Sequence, residues 1–279
     1  MATLREVPVR YDLERDLQMP SLIPRQAWAR RLVYELIYAW PGGRRATTFN
    51  VGVAPAMAII RDDPAFANDP NQAQLYAELL ELAPIDTKGW RESRVLEVAA
   101  GCGGGLLYLQ KHFCPREAIG IDLSRIAAWR GRRLGVDVRQ GNLTRLPFGD
   151  QRFDNVVCVE AMNYAPIREF IGEVFRVIKP GGRLFLGECS EFPNDAKDYF
   201  HQIASMGGLD LECFRDASQG VRASLKERSP RLSRAIAWLP AYLRDRLKEM
   251  MVLEGSDRYH QWQSGASGFA MVILRRPLV

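Results

Sequence analysis

Two features of the sequence can do chemistry together: a glycine-rich turn and an acidic residue that follows it. Residues 94–105, RVLEVAAGCGGG, read as a short apolar strand that breaks into glycines before a helix opens at Leu106. Glycine tolerates positive φ and lets a ligand approach the backbone, and the first amides of the helix are free to face that ligand. Asp122 follows Gly103 by 19 residues, at the end of a second apolar run. This is the spacing at which a strand-helix-strand unit places a carboxylate on ribose hydroxyls.

Each of these features also has a purely structural interpretation. Glycine-rich turns serve tight packing between a strand and a helix, and Glu97 or Asp122 can be a surface or capping acid. The surrounding sequence therefore has to decide between a ligand site and a packing motif.

The surrounding motifs resemble those of one enzyme family. The run from Glu97 to Gly103, E-x-A-x-G-x-G, resembles the first motif of class I S-adenosylmethionine-dependent methyltransferases. Three later segments resemble further motifs of that family, in the same order along the chain. They are GNLTRLPF at 141–148, FDNVVCVEA at 153–161 and EVFRVIKPGGRL at 173–184.

The fold that this resemblance implies agrees with the pattern of the chain. Apolar strands alternate with helical segments, which is typical of a parallel sheet covered on both faces. The resemblance, close over residues 90–190 and looser over 47–89 and 209–276, implies an α/β fold. It is a Rossmann-like, seven-stranded, mostly parallel sheet with helices on both faces and an antiparallel last strand. We expect strands at 94–98, 118–122, 136–139, 156–160, 183–188, 209–214 and 268–275.

The resemblance implies S-adenosylmethionine as the cofactor and S-adenosylhomocysteine as its product. The backbone around Ala99, Gly101 and Gly103 would face the methionine part of the donor. Asp122 would accept both ribose hydroxyls, and Leu123 would flank the adenine. Because Ala99 replaces the first glycine that is usual in the family, we expect it to have an ordinary negative φ.

Four further residues complete the predicted cofactor site. Asn142 stands where the family has an aspartate for the adenine amino group, and its amide carbonyl can still accept that bond. Leu143 would donate its N–H to the adenine ring. Glu97 would orient the loop and reach the donor's amino group through water, and Glu160, at the end of the predicted fourth strand, is assigned to the same site.

Three residues are candidates for catalysis: Tyr164, His201 and Glu188. Relatives that methylate hydroxyls or alkenes often have a histidine where this chain has Tyr164. A tyrosine with a pKa near 10 is a poor base at neutral pH, but it can orient an acceptor, relay a proton or stabilise a carbocation through its ring. Alternatively, Tyr164 is an aromatic side chain that only packs in the core. His201, in the segment where family lids lie, and Glu188, ending the fifth strand, are the other candidate bases.

Composition bounds the class of protein. With 279 residues, 47% of them hydrophobic and 25% charged, the chain can bury a full core. Five cysteines, an odd number without C-x-x-C spacing, indicate reduced thiols, and no histidine or cysteine motif indicates a metal. The first residues lack an apolar signal core, and no uncharged run reaches about 18 residues. We therefore expect no integral membrane segment and a cytoplasmic protein.

Arginine clusters supply much of the formal net charge of +5. Such clusters can contact phosphates or anionic lipid, but no aromatic pattern or nucleic-acid motif accompanies them. We therefore favour a solvated surface and predict no nucleic-acid partner. The clusters are Arg30 with Arg31, Arg44 with Arg45, Arg130 with Arg132 and Arg133, and Arg275 with Arg276.

We expect an N-terminal helical arm at residues 1–46 and a methyltransferase domain at 47–279, with a helical acceptor lid at about 191–265. A helix from Ser21 to about Trp40 has an apolar stripe, for which we favour core packing. The alternatives are an arm that closes over the acceptor pocket and one that pairs with another subunit in a homo-oligomer. The stripe is Trp28, Leu32, Leu36 and Trp40 with the flanking pair Val33 and Ile37, and the tyrosines that would reach the pocket are Tyr11, Tyr34 and Tyr38.

The sequence predicts methyl transfer to an apolar small-molecule acceptor, such as a secondary metabolite or an isoprenoid lipid, because the lid is rich in Trp, Tyr, Leu and Met. Without the histidine, carbon methylation is favoured, and O-methylation of a natural-product hydroxyl is an alternative. A further alternative is a methyltransferase fold recruited as a cyclase or a non-methylating binding protein. The last alternative function is binding of nucleic acid or an anionic membrane through the arginines.

Overall fold

The structure, a computed structural model, describes residues 27–39, 47–190 and 195–278. Tyr11, the predicted helix start at Ser21 and Trp40 therefore lie outside the described residues. So does part of the predicted lid, at 191–194.

A seven-stranded sheet forms the centre of the molecule. Its strands are β1 (Arg94–Val98), β2 (Glu117–Asp122), β3 (Asp137–Gln140), β4 (Phe153–Val159), β5 (Ile178–Ser190), β6 (Asp210–Asp216) and β7 (Gly268–Arg275). They lie in the order β3-β2-β1-β4-β5-β7-β6. Strands β1 to β5 are parallel, whereas β7 is antiparallel to both β5 and β6. The predicted fold, including its antiparallel last strand, is confirmed.

Helices cover both faces of this sheet, because its strands are apolar on both sides. In β4, Val157 packs into one hydrophobic cluster, and its neighbours Val156 and Cys158 pack into the other. The described helices are α1 (Ala27–Ala39), α2 (Ala58–Arg61), α3 (Pro70–Leu80), α4 (Thr87–Glu92), α5 (Gly104–His112), α6 (Arg125–Arg133), α7 (Ile167–Val177), α8 (Ala196–Met206), α9 (Ser218–Ile236), α10 (Ala241–Met251) and α11 (Asp257–Ser264). None of these helices is long and apolar enough to cross a membrane.

The segment predicted as a lid at 191–265 is only partly separate from the sheet. Helix α8 packs on the sheet through Phe200 and Ile203, which join the cluster that also contains Val156. Strand β6 belongs to the sheet itself. We therefore restrict the term lid helices to α9, α10 and α11. The amphipathic pattern of α8 could not distinguish a sheet-covering helix from a lid helix.

The connection between α3 and β1 contains a short helix, α4. Asp86 caps it by accepting a hydrogen bond from the N–H of Gly89 at 2.7 Å. Trp90 is buried against Phe185 of the sheet, with ring centroids 5.6 Å apart. The helix is too short to produce a periodic pattern, so a capping residue and one anchoring tryptophan determine it.

Most of the apolar stripe on α1 does not pack into the core. The favoured interpretation was wrong for Trp28, Leu32 and Leu36, which are exposed, whereas Val33 and Ile37 are half-buried. Trp28 and Leu36 are each 71% exposed. The opposite side of α1, which contains the buried Tyr38, contacts α6 instead. Pairing of the exposed stripe with another subunit stays a prediction.

We expect Gly104→Ala to destabilise the protein by about 1–3 kcal/mol, the usual cost of overpacking. A Cβ at Gly104 would overlap the methyl group of Thr48 and stand 2.6 Å from the carbonyl oxygen of Thr47. Urea unfolding measures the effect. Gly172→Ala is the matched control, because a Cβ on this residue of α7 meets no atom within 4 Å. It should stabilise the helix by about 0.5–1 kcal/mol, and equal effects of the two changes would contradict the expectation.

Candidate functional site

The turn after β1 has the sharp backbone conformation that a ligand-binding loop requires. Gly101 and Gly103 have φ of 53° and 84°. Ala99 also has a positive φ, 54°, so the negative φ predicted for it was wrong. The chain has to reverse as soon as β1 ends at Val98, and this reversal imposes the left-handed conformation at a cost of order 1 kcal/mol.

Glu97 lies buried directly behind this turn. It is 1% exposed, and its Oε1 accepts a hydrogen bond from the hydroxyl of Tyr76 at 2.6 Å. Its Oε2 has no hydrogen-bond partner among the described residues. Burial raises the pKa of Glu97 to about 8, although the bond from Tyr76 acts in the opposite direction. A side chain on Gly105 would overlap both Tyr76 and Glu97, so the glycine makes this arrangement sterically feasible.

Asp122 joins the turn to the next helix. Its Oδ2 accepts a hydrogen bond from the N–H of Gly101 at 2.9 Å, and its Oδ1 accepts one from the N–H of Ser124 at 2.8 Å. Burial raises its pKa to about 6, against the effect of these two bonds. Each carboxylate oxygen retains a second lone pair, which leaves the group able to accept ligand hydroxyls.

The predicted adenine-binding residues lie next to Asp122. The N–H of Gly141 donates to the backbone oxygen of Asp122 at 2.8 Å, which brings the loop after β3 beside the end of β2. Asn142 follows, and its side-chain oxygen accepts the N–H of Thr144 at 3.1 Å. Leu123 and Leu143 are both half-buried. The structure therefore brings Leu123, Asn142 and Leu143 to the same sheet edge as Asp122.

Helix α1 covers the turn, and sequence reasoning missed the residue that fixes it. Glu35 accepts hydrogen bonds from the Ser124 hydroxyl at 2.6 Å and from the N–H groups of Arg125 at 2.8 Å and Ile126 at 3.0 Å. It thereby caps the first turn of α6 from another part of the chain. On the same helix, the Tyr38 hydroxyl lies 3.3 Å from the point where a Cβ of Gly101 would stand. This geometry favours the alternative in which the arm closes over the site.

Tyr164 contacts the arm as well. It is half-buried in the short helical turn Met162–Tyr164, and its ring meets that of Tyr34 edge to face, with centroids 5.9 Å apart. Its hydroxyl also shares a hydrogen bond with Tyr34, yet burial dominates and raises the pKa of Tyr164 to about 12. Such a group is a weaker acid than free tyrosine, and it is correspondingly poorly suited to act as a phenolate base at neutral pH.

Two carboxyl groups lie near the ends of the adjacent strands β4 and β5. Glu160, with φ 51°, accepts the N–H of Val51 at 2.6 Å, and burial raises its pKa to about 7. Glu188 accepts the N–H of Met162 at 2.9 Å, and burial raises its pKa to about 8. Glu188 is fully buried, whereas Glu160 is half-buried. Of the two, Glu160 is therefore the more accessible to a ligand.

Arg228, a residue of α9 that sequence reasoning missed, connects the lid helices to this carboxyl pair. The guanidinium is buried and donates to the backbone oxygens of Asn50 and Met251, both at 2.8 Å. Its positive charge lowers the pKa of Glu160 against the larger effect of burial. Nothing in the local sequence distinguished it from the other arginines of this helix.

The structure does not bring His201 to this site. His201 lies on the exposed side of α8, opposite Phe200 and Ile203, which pack on the sheet. Its predicted position in a lid was wrong because α8 covers the sheet instead. His260, on α11, is exposed as well. Within the described ranges no group of three or more His, Cys, Asp or Glu side chains could hold a metal ion.

The arrangement fits a cationic nucleoside such as S-adenosylmethionine, which the sequence motifs imply. A turn with three positive-φ residues lies between a buried, partly unpartnered Glu97 and the carboxylate of Asp122. The first suits an ammonium group and the second suits ribose hydroxyls.

Comparison with known proteins agrees with this geometry. Residues 95–182, from β1 into β5, match the family described as "Methyltransferase domain". Over 127 residues the chain is 38% identical to a phthiotriol/phenolphthiotriol dimycocerosates methyltransferase of Mycobacterium tuberculosis, covering 43% of this chain and 46% of that protein. Over 161 residues it is 38% identical to a fatty-acid O-methyltransferase of Mycolicibacterium smegmatis, covering 54% of this chain and 57% of that protein. The aligned region thus spans about half the length of each of these curated relatives.

The fold is also shared with a solved structure of a cyclase. The crystal structure of the [4+2]-cyclase SpnF superposes with a TM-score of 0.70, over 92% of this chain and 98% of that one, at 16% sequence identity. At that identity the likeness shows the fold alone.

Raising the pH is expected to destabilise the donor-free protein through its buried carboxyl groups. The pKa of a free glutamate is near 4.3, so the unfolded chain loses these protons first. The stabilisation from binding them in the fold is fully present below about pH 4.3 and is lost as the pH rises through about 7–8, the range for Glu97, Glu160 and Glu188.

Glu188→Gln removes one of these titrating carboxyl groups and so measures its contribution to the pH dependence. It should make the fall in unfolding free energy with pH less steep by up to about 1.4 kcal/mol per pH unit, measured by urea unfolding between pH 5 and 8. Glu169→Gln, at an exposed position of α7, is the matched control. An unchanged slope in the Glu188 variant would contradict the assignment.

Proposed function

Because the chain contains a class I S-adenosylmethionine-dependent methyltransferase domain, we propose that it transfers a methyl group from that donor to an apolar, lipid-like small molecule. One observation supports this most directly. The glycine turn and Asp122 lie at the edge of the sheet where Glu160 follows β4 and Glu188 lies near the end of β5, and the arm residues Tyr34 and Tyr38 cover the same edge.

The roles proposed on the donor side follow from the hydrogen-bonding groups left available. Asp122 holds the ribose hydroxyls, while Gly101 and Gly103 provide a backbone surface for the methionine part. Glu97 presents its unpartnered oxygen towards the donor's amino group. Asn142 and Leu143 flank the adenine. When bound, the donor supplies a methyl group already activated by its sulfonium, so the protein has to orient the acceptor and exclude water.

The lipid-like acceptor is supported by the relatives. The two proteins with 38% identity are named for dimycocerosates and for fatty acids. In this chain, the site is bordered by the ring pair of Tyr34 and Tyr164 and by Phe49, whose ring meets Tyr38 edge to face at 5.2 Å. Aromatic walls of this kind bind apolar ligands while leaving few groups to hydrate the reacting atoms.

We further propose that the acceptor atom is oxygen and that Glu160 removes its proton. A carboxyl group with a pKa of about 7 exists partly as carboxylate at neutral pH and can accept a proton. A relative named as a fatty-acid O-methyltransferase supports this choice. Carbon methylation is the second candidate, favoured by Tyr34 and Tyr164, whose ring faces can stabilise a cation.

Asp122→Asn is expected to weaken donor binding at least tenfold, because it removes charge-assisted hydrogen bonds to the ribose. Isothermal calorimetry with S-adenosylhomocysteine measures this without any acceptor. Asp137→Asn, at a half-exposed position in β3, is the matched control and should leave the affinity unchanged. Unaltered binding by the Asp122 variant would contradict the donor site.

Glu160→Gln should reduce methyl transfer by about 10²–10⁴-fold while leaving donor affinity within about threefold, because it removes the proton acceptor alone. Long-chain and isoprenoid alcohols are the test acceptors, with S-adenosylhomocysteine formation as the readout. Fatty acids are already ionised at neutral pH and need no base, so the variant should keep its activity on them. Tyr164→Phe is the comparison, because it keeps the ring and removes the hydroxyl.

The products distinguish the remaining alternatives. A methoxy or methyl ester product supports the oxygen assignment, and a new carbon–methyl bond supports the second candidate. Full activity of the Glu160 variant would rule out its role as base. Donor binding without any S-adenosylhomocysteine would support the cyclase or non-methylating alternative.

A further inference from the structure

The corner between lid helices α9 and α10 has an unusual sequence. Residues 235–243, AIAWLPAYL, contain no charged or other strongly polar side chain, and they are bracketed by Arg234 and Arg244. The stretch covers the end of α9, the turn and the start of α10. We call residues 234–244 the lid tip.

The lid tip exposes its large apolar side chains. Trp238 is 71% exposed, Tyr242 is 70% exposed and Leu243 is 41% exposed. Beneath them Ile236, Leu239 and Leu253 form a small hydrophobic cluster separate from the two main clusters. The exposed side chains therefore stand on a packed base, which holds them in position without the help of a partner.

The lid tip also lies in a basic part of the chain. From Ser218 to Met251 the sequence has eight Lys and Arg residues against three Asp and Glu residues, a net charge of +5. The whole chain has the same net charge, so the remaining residues are neutral as a group. Arg234 and Arg246 are exposed beside the apolar tip, and the guanidinium of Arg246 stacks over the ring of Tyr242 at 4.9 Å.

We propose that the lid tip docks on the surface of an anionic phospholipid bilayer. Trp238, Tyr242 and Leu243 would enter the headgroup region, where amphipathic aromatic side chains are favourable. Arg234, Arg244 and Arg246 would contact the phosphates around them. A basic surface with an apolar ridge is the combination that produces interfacial binding without spanning the membrane.

A bilayer fits this surface better than a second copy of the chain. Two copies meeting through their lid tips would bring like charges together, which is unfavourable. The exposed parts of the three apolar side chains amount to roughly 400 Å², about half of what one partner contributes to a stable protein interface. A convex corner of this size matches insertion into a deformable headgroup layer more closely than a protein contact.

The position of the lid tip relates it to the proposed site. Arg228, on the same helix, contacts Asn50 and acts electrostatically on Glu160. Eight residues of α9 separate Arg228 from Ile236, a distance of about 12 Å along a helix. A lipid leaving the bilayer at the tip would therefore be close to the carboxyl groups. The docking proposal itself rests on the exposed surface and stands without the methyl-transfer assignment.

Vesicle co-sedimentation of the full chain tests the proposal. Vesicles of phosphatidylcholine with phosphatidylglycerol should bind the protein, and vesicles of phosphatidylcholine alone should bind it at least tenfold more weakly. The combined variant Trp238→Ala, Tyr242→Ala, Leu243→Ala should reduce binding to the mixed vesicles at least tenfold. The matched control Ile59→Ala, Trp129→Ala removes exposed apolar side chains elsewhere and should change nothing.

A second variant separates the electrostatic contribution. Arg234→Gln, Arg244→Gln, Arg246→Gln should weaken binding about fivefold per charge and remove most of its salt dependence. The control is Arg61→Gln, Arg116→Gln, Arg139→Gln, three exposed arginines away from the lid. Urea unfolding of each variant shows that it is folded, and because this measurement needs no donor it keeps the test distinct from failure of the proposed function.

Three outcomes would overturn the proposal. The first is absence of binding to the mixed vesicles at low salt. The second is binding that survives the lid-tip variant but is lost in Trp28→Ala, Leu32→Ala, which would place the docking surface on α1. The third is a concentration-dependent dimer that the lid-tip variant abolishes, which would identify a second copy as the occupant.

Discussion

The buried carboxylate of Asp122 is the constraint on which the rest of the site depends. It accepts the N–H of Gly101 from the turn after β1 and the N–H of Ser124 at the start of α6. Two neighbouring strand ends are therefore held in one relative position by a single side chain. The cost of burying a carboxylate appears as a pKa raised to about 6, and the two backbone bonds offset part of that cost. Burying the Asp122 carboxylate beside the glycine turn is unfavourable for folding alone, which indicates a binding role.

The same edge of the sheet concentrates acidic groups. Glu97, Asp122, Glu160 and Glu188 are all buried or half-buried, and each has a raised pKa. Such a set destabilises the free protein at neutral pH and is complementary to a donor that contains a sulfonium and an ammonium group. Arg228 supplies a buried positive charge within the protein. The acidic groups therefore repel one another in the free protein, and a bound cationic ligand would reduce that repulsion.

Helix α1 and the lid helices cover this edge from two directions. Helix α1 caps α6 through Glu35 and places Tyr34 against Tyr164, so one helix contacts both the proposed donor side and the proposed acceptor side. The lid helices meet the same region from the other direction through Arg228. Both covers are fixed by polar bonds to backbone groups, and each leaves an apolar surface facing outwards, at Trp28 and at Trp238.

The sequence by itself determined the features that depend on local patterns, namely the sheet and the residues at its edge. The alternation of apolar strands and helices predicted the sheet, and the spacing from Gly103 to Asp122 predicted which residues meet at its edge, because a strand-helix-strand unit has nearly fixed dimensions. The tertiary structure decided the rest. Glu35 and Ser124 are far apart in the chain, as are Arg228 and Asn50, and no local pattern records such pairs. The φ of Ala99 and the exposed position of His201 likewise follow from how the turn and α8 pack on the sheet, which depends on contacts between distant segments.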